Sequence, residues 1–244
     1  MIRVGLLGAS GRMGKRVKEL LLTEYHATTR LCAEATSSSK AESLPQCDLV
    51  IDFSRPEAVL DLGRAIMALP SSAQRPALLV GSTGWTDTQL QELKQISAHT
   101  CVLRSPNFST GALAMLHILK TAAPLMRNLG YLPTILETHH RHKKDSPSGT
   151  AIAIQSVLAS EFPEGVQTQS VRAGEMIGDH EVTFYGLSDH LTFGHFAQDR
   201  SIFARGAIEI GLWLVEEQRN GSASGLIPVD RYFETLSQPR RGEK

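Results

Sequence analysis

The segment IRVGLLGASGRMG, residues 2–14, is a short apolar run that leads into three glycines spaced three residues apart. Residues 2–7 are mostly apolar, which is typical of a central strand in a parallel sheet. Residues 15–21 then place apolar and polar side chains at helical spacing. A strand, a glycine turn and a helix therefore follow one another, and this order predicts the first unit of a doubly wound α/β sheet.

The three glycines suit the phosphates of a bound dinucleotide. Gly8 lets the chain turn, Gly11 lets backbone N–H groups approach a pyrophosphate, and Gly14 lets the helix pack close to the strand. Glu34 lies 20 residues after Gly14, at the end of a second predicted strand, residues 29–35. A carboxylate at this place would accept hydrogen bonds from an adenosine ribose. Because the spacing is not the strict G-x-G-x-x-G, a plain glycine-rich turn and a surface carboxylate are the alternatives.

Three further predicted strands, residues 48–53, 77–80 and 101–103, alternate with two amphipathic helices. Each of these strands ends in small or polar residues. In a doubly wound sheet such strand ends line one crevice, where ligands bind. Five strands with their connecting helices therefore predict a Rossmann-type domain in the first part of the chain.

The pattern changes in the second half of the chain. A long amphipathic helix over residues 111–129 leads out of the first domain, and three β-like runs follow later, residues 167–173, 180–185 and 190–197. The closeness of these runs predicts hairpins or mixed pairing. The predicted fold class is α/β, a Rossmann-type doubly wound parallel sheet plus a smaller α+β domain.

Residues 137–150, with the sequence ETHHRHKKDSPSGT, are the richest in titratable groups. Three histidines and two lysines fall within six residues, and the turn SPSGT then opens into an apolar helix. The cluster thus follows a buried strand and precedes a helix amino end, where open α/β sheets place ligands and backbone N–H groups receive anions. A solvated loop, a nucleic-acid patch and a metal site at His140 and His142 are the alternatives. The adjacent Lys143 and Lys144 would repel a divalent cation.

The 244 residues are enough for one large or two modest domains. Lysine plus arginine and aspartate plus glutamate each number 25, so no net field favours nucleic acid or an anionic membrane. No apolar run approaches the length of a membrane span, and the amino end lacks the features of a signal peptide. The three cysteines, Cys32, Cys47 and Cys101, match no metal or redox spacing. We expect a cytoplasmic protein with reduced, buried, structural thiols.

Taken together, these motifs resemble those of one family, 4-hydroxy-tetrahydrodipicolinate reductase, long called dihydrodipicolinate reductase, of bacterial lysine and diaminopimelate synthesis. The resemblance runs almost end to end, and the motifs occur in the order of the family. The glycine segment GASGRMG alone would be weak support, whereas the block HHRHKKDSPSGT is strong support. The other segments that carry the resemblance are IDFSRPE (51–57), GSTG (81–84), NFS (107–109) and VRAGEMIGDH (171–180).

The resemblance implies an oxidoreductase that uses NADH or NADPH, without a metal, to reduce a cyclic unsaturated dicarboxylate to tetrahydrodipicolinate. It assigns His139 as the general acid and base and Lys143 as the proton donor. The chemistry agrees, because hydride addition to a C=N system leaves negative charge that a proton must quench. A dicarboxylate also needs cations and backbone donors around it. The residues that would bind the substrate are His140, Ser148, Gly149 and Thr150.

The same resemblance assigns the cofactor contacts to the ends of the predicted strands. Ala35 follows the acidic residue where some members have a basic residue for the 2′-phosphate, and this difference favours NADH. Arg12 and the polar loop of residues 37–40 could still accept NADPH, so we predict use of both with a lean to NADH. The residues assigned to the cofactor are Gly8, Ala9, Ser10, Gly11, Arg12, Met13, Glu34, Phe53, Arg55, Gly81, Ser82, Thr83, Ser105, Pro106, Asn107 and Phe108.

The resemblance also implies a homotetramer built through the sheets of the second domain, and a final segment that returns to the first domain. We therefore predict a dinucleotide-binding domain of residues 1–109 and 219–244, and a substrate-binding and oligomerisation domain of residues 110–218. Histidines in the later β-like runs are expected at a surface or interface and not as metal ligands. These are His180, His190 and His195.

Two other functions are open on the sequence alone. One is a nucleotide-sensing Rossmann protein without catalysis, which would have no need of His139, His140 and Lys143. The other is a reductase of a different imine or carbonyl substrate. Aldehyde chemistry would require a nucleophilic cysteine, and no cysteine lies in a suitable loop. We expect the partner of the protein to be a small molecule, which is a dicarboxylate if the family resemblance holds. We expect it to bind neither nucleic acid nor a membrane.

Overall fold

The computed structural model describes residues 1–36 and 42–238. These residues form two compact units, which are described separately. The first unit contains Met1–Phe108 and the chain from Phe203 onward, and the second contains Ser109–Ile202. Within the described ranges, no helix is both long enough and apolar enough to cross a membrane.

The first unit contains a six-stranded sheet in which every pair of neighbours is parallel. With elements numbered in chain order, its strands are β1 (Ile2–Leu7), β2 (Thr29–Ala35), β3 (Leu49–Asp52), β4 (Ala77–Val80), β5 (Val102–Arg104) and β10 (Leu226–Ile227). Its helices are α1 (Arg12–Thr23), α2 (Pro56–Met67), α3 (Asp87–Ser97), most of α6 (Ser201–Arg219) and α7 (Asp230–Leu236). The strand order across the sheet is β10-β5-β4-β3-β1-β2. The predicted Rossmann-type sheet is confirmed.

Strands β3 and β4 are buried along their whole length, so both faces of the sheet are covered. Continuous apolar runs are what such strands require, and alternating patterns would expose polar groups to the core. Strand β1 lies between β2 and β3, so the connections reverse direction at this point of the sheet. Sheets of this kind bind ligands at that switch point, beyond the carboxyl ends of the strands. Fully buried core residues include Val4, Leu49, Leu79, Ile96 and Val102.

The second unit is a four-stranded mixed sheet with two helices. Its strands are β6 (Leu132–His139), β7 (Gln167–Arg172), β8 (Asp179–Tyr185) and β9 (His190–Phe196), in the order β7-β6-β8-β9. Its helices are α4 (Thr110–Asn128) and α5 (Gly149–Ala159). Strand β6 pairs parallel with β7 and antiparallel with β8, and β8 pairs antiparallel with β9. The predicted mixed pairing is confirmed.

Burial alternates along β6, because only one face of this sheet is covered by helices. Residues 133, 135, 137 and 139 are buried, and the residues between them are not. The covered face packs into a core that includes Leu119, Ile154, Leu158, Phe162 and Phe184. The opposite face, called here the open sheet face, carries five exposed apolar side chains: Leu132, Leu136, Val171, Tyr185 and Phe196.

The chain returns to the first unit earlier than the sequence predicts. The expected second domain extends to residue 218, whereas the chain from Phe203 belongs to the first unit. Helix α6 packs on the parallel sheet, since a Cβ on Gly211 would lie 2.8 Å from Leu49 Cδ2. Near the end of this helix, Gln218 Oε1 accepts a hydrogen bond from the Cys101 N–H at 2.8 Å. The apolar spacing that predicts this helix does not identify the sheet on which it packs.

Candidate active site

The residues predicted to bind the cofactor follow the carboxyl ends of strands β1 to β5. Because these strands are parallel, their carboxyl ends lie at one edge of the sheet. In chain order, the predicted residues are 8–13 after β1, Glu34 near the end of β2, Phe53 and Arg55 after β3, 81–83 after β4, and 105–108 after β5. The fold therefore brings all of these segments to the same edge of the first unit.

The turn after β1 is too tight for a side chain at two of its glycines. A Cβ on Gly8, whose φ is 88°, would lie 2.7 Å from the Phe53 carbonyl oxygen. A Cβ on Gly14 would lie 2.2 Å from the Gly8 carbonyl oxygen. Gly11 is the N-cap of α1 and has no side chain that could cap the helix. The N–H groups of the first helical turn can therefore bind an anion. This cradle fits the pyrophosphate of a dinucleotide.

Asp52 holds together the ends of β3 and β4. Its carboxylate is 2% exposed, and it accepts hydrogen bonds from the backbone N–H of Ser54 at 2.8 Å and of Ser82 at 3.1 Å. Burial raises the pKa of Asp52, and these hydrogen bonds oppose the shift. The carboxylate thus fixes the loops that begin at Phe53 and Gly81. Asp52 is not assigned a role in the sequence analysis. An aspartate at the end of an otherwise apolar strand is the signal that could have identified it.

Glu34, the predicted ribose ligand, is held by Lys18 of helix α1. The Lys18 ammonium lies 2.8 Å and 2.9 Å from the two carboxylate oxygens. A ribose at this edge would therefore meet a carboxylate that a cation already orients. Lys18 is not identified in the sequence analysis. In the sequence it looks like any other polar residue on the exposed side of an amphipathic helix. The loop of residues 37–40, predicted to receive a 2′-phosphate, lies outside the described residues.

An aromatic pair and a polar turn complete this edge of the sheet. The rings of Phe53 and Phe108 meet edge to face, with centroids 6.0 Å apart. Gly81 leaves room for the Phe53 ring, since a Cβ at this glycine would lie 2.6 Å from Phe53 Cε1. In the turn after β5, the Ser105 hydroxyl donates to the Asn107 carbonyl oxygen at 2.5 Å. The exposed members of the predicted set are Ser10, Gly11, Arg12, Glu34, Arg55, Thr83 and Pro106.

In the second unit, the histidine motif begins on the covered face of β6. Glu137 and His139 are two residues apart and therefore project from the same face of the strand. Glu137 is 0% exposed and His139 is 7% exposed. His139 Nδ1 contacts Glu137 Oε2, and Arg172 Nη2 donates to Glu137 Oε1 at 2.7 Å. The same Arg172 atom donates to the Asp145 carbonyl oxygen at 2.7 Å, so one guanidinium joins β7, the buried carboxylate and the motif loop.

These contacts set the charges of the buried pair. Burial alone would raise the pKa of Glu137, but hydrogen bonds from Arg172 and Ser170 hold that pKa at about 2. Burial lowers the pKa of His139, Glu137 opposes this shift, and the Lys143 ammonium adds to it. Near neutral pH the pair is therefore a carboxylate and a neutral imidazole. Nδ1 lies against the Glu137 carboxylate, so Nε2 is the ring nitrogen that is left for proton transfer.

Two more histidines lie in a row with His139. The His139 and His180 rings meet edge to face with centroids 5.1 Å apart, and the His180 and His195 centroids are 6.5 Å apart. His180 Nε2 is 3.0 Å from Ser148 Oγ, and His195 Nε2 is 3.1 Å from Ser109 Oγ. Burial, followed by the neighbouring His139, lowers the pKa of His180 to about 4, so this ring is neutral. The row connects the acid–base pair to the residue before α5.

The predicted surface or interface position is wrong for His180, which is 4% exposed. Antiparallel pairing places His180 directly opposite Glu137, on the covered face of the sheet. The sequence could not reveal this, because the register between β6 and β8 is set by contacts along both strands. His190 does lie at the surface, with its ring centroid 5.6 Å from that of Tyr185.

The loop after β6 contains Lys143, the predicted proton donor, and His140, a predicted substrate contact. Lys143 Nζ pairs with Asp145 Oδ2 at 2.9 Å, and the lysine side chain is 21% exposed. Lys143 is close enough to His139 for its charge to lower the pKa of that imidazole. His140 is partly exposed, and its ring centroid is 6.4 Å from that of His142. The loop thus presents a cation beside the buried acid–base pair.

The substrate-binding residues predicted after this loop form the amino end of α5. Ser148 caps the helix, since its hydroxyl accepts a hydrogen bond from the Ala151 N–H at 3.2 Å. The first intrahelical hydrogen bond runs from the Ile152 N–H to the Ser148 carbonyl, so the N–H groups of Gly149 and Thr150 precede the helical ladder. A Cβ on Gly149 would meet no atom within 4 Å, so there is space beside this helix end. Such an end receives a carboxylate.

Glu137, His139 and His180 also bring three potential ligand atoms within 4.8 Å of one another, a set that could hold a metal ion. Two cations weigh against this use. Arg172 already pairs with Glu137, and burial lowers the pKa of both histidines, with the charge of Lys143 as a smaller cause in the same direction. A divalent ion placed among them would be repelled by both. The contacts suit a hydrogen-bonded acid–base pair better than a coordination sphere.

Comparisons with known proteins place both halves of the chain in one family. The family model described as dihydrodipicolinate reductase, N-terminus, matches residues 2–108, and the one described as dihydrodipicolinate reductase, C-terminus, matches residues 111–227. The chain belongs to the dihydrodipicolinate reductase family. The resemblance drawn from the motifs is therefore confirmed, and the chain is an oxidoreductase of this family.

Relatives named 4-hydroxy-tetrahydrodipicolinate reductase match most of the chain. One from Syntrophotalea carbinolica is 32% identical over 268 residues, which covers 93% of this chain and 96% of the relative. One from Aquifex aeolicus is 30% identical over 252 residues, which covers 87% of this chain and 93% of the relative. The similarity is thus spread over the full length of these reductases and is not confined to the nucleotide half.

Solved structures agree on the fold of the dihydrodipicolinate reductase family. The dipicolinate-bound dihydrodipicolinate reductase from Paenisporosarcina sp. TG-14 has a TM-score of 0.77 at 20% identity and covers 95% of this chain and 99% of its own. A meso-dapdh mutant from Clostridium tetani E88 has a TM-score of 0.59 at 11% identity and covers 99% of this chain and 98% of its own. Both confirm a Rossmann-like sheet together with a second, mixed sheet.

Proposed function

We propose that the protein reduces 4-hydroxy-tetrahydrodipicolinate, by way of dihydrodipicolinate, to tetrahydrodipicolinate in lysine and diaminopimelate biosynthesis. Membership of the reductase family over both halves of the chain supports this reaction. The observation that carries the chemistry is the buried Glu137–His139 pair, linked through His180 and Ser148 to the amino end of α5. The bound nicotinamide dinucleotide supplies a hydride, and the protein supplies a proton and the charges that hold the substrate.

His139 serves as the general acid and base in this proposal. Hydride addition to the carbon of a C=N bond leaves an electron pair that a proton must take up. Glu137 holds His139 at Nδ1 and stabilises the imidazolium whenever it forms, so Nε2 is the atom that exchanges the proton. A Cβ on Gly178 would lie 2.8 Å from Nε2, so this glycine keeps space beside the reacting atom. Lys143, whose charge acts on His139, is the proton donor.

The two carboxylates of the substrate are held by different parts of the second unit. Gly149 and Thr150 receive one carboxylate with backbone N–H groups at the amino end of α5, where the helix dipole favours negative charge. Ser148 orients this helix end by capping it. His140 and the ammonium of Lys143 contact the substrate from the loop. A substrate carboxylate would compete with the exposed Asp145 for that ammonium.

A coupled assay tests the reaction directly. A separate synthase would make the substrate from pyruvate and aspartate semialdehyde, and loss of reduced-nicotinamide absorbance would report turnover. We expect oxidation of the nicotinamide that depends on the synthase. Nucleotide binding without any oxidation would contradict the proposed reaction and would leave a nucleotide sensor or a reductase of another imine or carbonyl compound.

Lys143→Ala tests the assignment of the proton donor. We expect kcat to fall at least about 100-fold, because positioned proton transfer contributes roughly 10²–10⁴-fold to a rate. The dissociation constant for NADH, measured by fluorescence titration, should stay near that of the wild type. Lys144→Ala is the matched control, since it removes an exposed lysine from the adjacent position. Loss of nucleotide binding in Lys143→Ala, or an equal fall in kcat in the control, would contradict the assignment.

For the cofactor we propose use of both NADH and NADPH, with a preference for NADH. The acidic residue that would contact the ribose, Glu34, is followed by the buried Ala35 and not by a basic residue. Lys18 occupies both oxygens of Glu34, and the exposed Arg12 offers a cation to a 2′-phosphate. Parallel measurements of kcat/KM with the two cofactors test this proposal. A large preference for NADPH would contradict it.

We further propose a homotetramer that assembles through the open sheet face. The family resemblance implies this assembly, and the exposed apolar side chains of that face supply a surface that a partner sheet can cover.

A cytoplasmic location and a reaction without a metal are also part of the proposal. Full activity after dialysis against a chelator would support the second, and loss of activity that zinc or another metal restores would contradict it.

A further inference from the structure

Two of the three cysteines lie in direct contact in the first unit. Cys32 Sγ and Cys47 Sγ are 2.8 Å apart. Cys32 is exposed on β2, which is an edge strand of the parallel sheet, and Cys47 is buried just before β3. The expectation that all three thiols are buried is therefore wrong for Cys32. The third cysteine, Cys101, is buried and its thiol donates to the Ala223 carbonyl oxygen at 3.0 Å.

Gly5 explains how the two thiols meet although strand β1 lies between β2 and β3. A Cβ on Gly5 would lie 2.9 Å from Cys47 Sγ and 2.6 Å from Leu44 Cδ2. The missing side chain therefore opens a space over β1 into which Cys47 extends. The pairing of β1 with β2 also shifts its register between Val4 and Gly5. The thiol of Cys32 donates to the Val4 carbonyl oxygen at 3.4 Å, which keeps it beside this space.

We propose that Cys32 and Cys47 are a site of reversible oxidation, at which a hydroperoxide converts the two thiols into a disulfide. The sulfurs must approach by less than about 1 Å, since a disulfide bond is about 2.05 Å long. Such a small shift is within the reach of side-chain rotation. The link would cross β1 and fasten the edge strand β2, which carries Glu34, to the segment before β3.

The chemistry proceeds in two steps with hydrogen peroxide as the oxidant. Cys32 Sγ attacks one peroxide oxygen, the O–O bond breaks, and the products are a Cys32 sulfenic acid and water. Cys47 Sγ then attacks the Cys32 sulfur, the S–O bond breaks, and the hydroxide takes the thiol proton and leaves as a second water. Two thiols are oxidised and one peroxide is reduced to two waters.

The order of these steps follows from exposure. Cys32 is open to a solute, whereas Cys47 is covered. Burial, followed by the hydrogen bond with Cys32, raises the pKa of Cys47, so its thiol is a poor first nucleophile. Once Cys32 is a sulfenic acid, the sulfur of Cys47 is already in contact with its target. Cys101 has neither an exposed sulfur nor a contact with either thiol in the described structure.

Mass spectrometry of the full-length protein tests the proposal. The reduced protein would be exposed to hydrogen peroxide, the remaining thiols blocked, and the intact mass and peptides measured. We expect a loss of about 2 Da, a linked peptide pair that contains Cys32 and Cys47, and complete reversal by dithiothreitol. Cys101→Ser should show the same mass loss, whereas Cys32→Ser and Cys47→Ser should not show it. A sulfinic acid at Cys32, a link to Cys101 or a link between two chains would overturn the proposal.

A melting experiment separates a link formed within the fold from one formed after opening. Because the thiols already touch, the disulfide should add little strain and should restrict the unfolded chain. We expect the oxidised protein to melt on the order of 5 °C above the reduced protein. A lower melting temperature for the linked protein would show that the bond distorts the sheet, and would overturn the proposal. Neither measurement depends on the identity of the substrate.

Discussion

At the scale of single residues, the site is built around a carboxylate that has no contact with solvent. Glu137 is 0% exposed, and its two oxygens are engaged by Arg172 and His139. A buried charge of this kind is costly unless it is paired and hydrogen-bonded, and here both conditions are met. The same contacts fix the tautomer of the imidazole. Glu137 therefore holds His139 in place.

Glu137→Gln tests this positioning. The amide would donate to His139 Nδ1, which forces the proton of the imidazole onto Nε2 and removes the charge that stabilises the imidazolium. We expect kcat to fall by about 100-fold or more, with the dissociation constant for NADH unchanged. Glu216→Gln, which alters an exposed carboxylate of α6, is the control and should behave like the wild type. Wild-type kcat in Glu137→Gln would show that the carboxylate does not act on His139.

The same residue predicts a pH dependence of stability. The pKa of Glu137 is lowered from 4.5 to about 2 in the fold, because hydrogen bonds from Arg172 and Ser170 outweigh burial. A lowered carboxyl pKa stabilises the fold above the unfolded pKa, and this contribution is lost as the pH falls from about 4.5 toward about 2. Its size is of the order of 3 kcal/mol.

Urea unfolding at several pH values measures this contribution. The free energy of unfolding of the wild type should exceed that of Glu137→Gln most at pH 6, and the difference should shrink as the pH is lowered through 4 to 3. Arg172 stays charged over this range, whereas the neighbouring His139 and His180 also take up protons, so the wild type is compared with Glu137→Gln at each pH. A difference that is independent of pH would contradict the assigned pKa.

At the scale of elements, the register of β6 decides which residues meet. Parallel pairing with β7 sets His139 beside Arg172, and antiparallel pairing with β8 sets Glu137 beside His180. A shift of one residue would turn the acid–base pair to the open sheet face and expose it. The covered face of β6 therefore holds core side chains and the candidate acid–base pair on one strand.

The packing of helix α1 on strand β1 depends on the close approach of Gly14 to the Gly8 carbonyl oxygen. In Gly14→Ala the new methyl would overlap the Gly8 carbonyl oxygen, since the two atoms would be only 2.2 Å apart. Backbone cannot give way as a side chain can, so we expect a loss of roughly 1–3 kcal/mol in the free energy of unfolding and weaker NADH binding. Urea denaturation and fluorescence titration would measure the two effects.

The control for this variant is Lys15→Ala, which changes the adjacent, exposed position of the same helix. It should leave both quantities near the wild type, because alanine favours helix and no contact is lost in the core. Gly14→Ala with unchanged stability and unchanged NADH binding would contradict the close packing of α1 on β1.

At the scale of the whole molecule, the second unit leaves one face of its sheet without a covering layer. Leu136 and Tyr185 are 37% and 50% exposed on this face. They lie on the paired strands β6 and β8, and on the same face the hydroxyl groups of Thr183 and Thr192 are hydrogen-bonded across β8 and β9 at 2.9 Å. Apolar side chains on an uncovered sheet face make the kind of surface that another copy of the chain can cover.

Leu136→Glu tests whether this face holds the proposed tetramer together. Light scattering after size exclusion should report a tetramer for the wild type and smaller species for the variant, because four buried carboxylates would meet without partners. Leu125→Glu is the control, since it changes an exposed leucine on α4 that lies away from the open sheet face. A variant that stays tetrameric would show that assembly uses a different surface.

Much of the fold follows from local features of the chain. The strand–glycine–helix order, the buried strands and the change to a mixed sheet all follow from spacing within a few residues. Motif positions at strand ends were predicted for the same reason, because a strand end is visible in the chain itself. Glu34 and residues 81–83 lie at the predicted edge of the sheet. Their roles in binding stay predictions.

The contacts that give the site its properties join segments far apart in the chain. Arg172 meets Glu137 across 35 residues, and His180 meets Ser148 across 32. Helix α6 looks in sequence like any amphipathic helix, yet it packs on the first sheet. Local spacing fixes which face of an element is apolar, because side-chain direction repeats every 2 or 3.6 residues. Only the tertiary structure decides which faces meet, since that choice depends on the sum of many weak contacts along both partners.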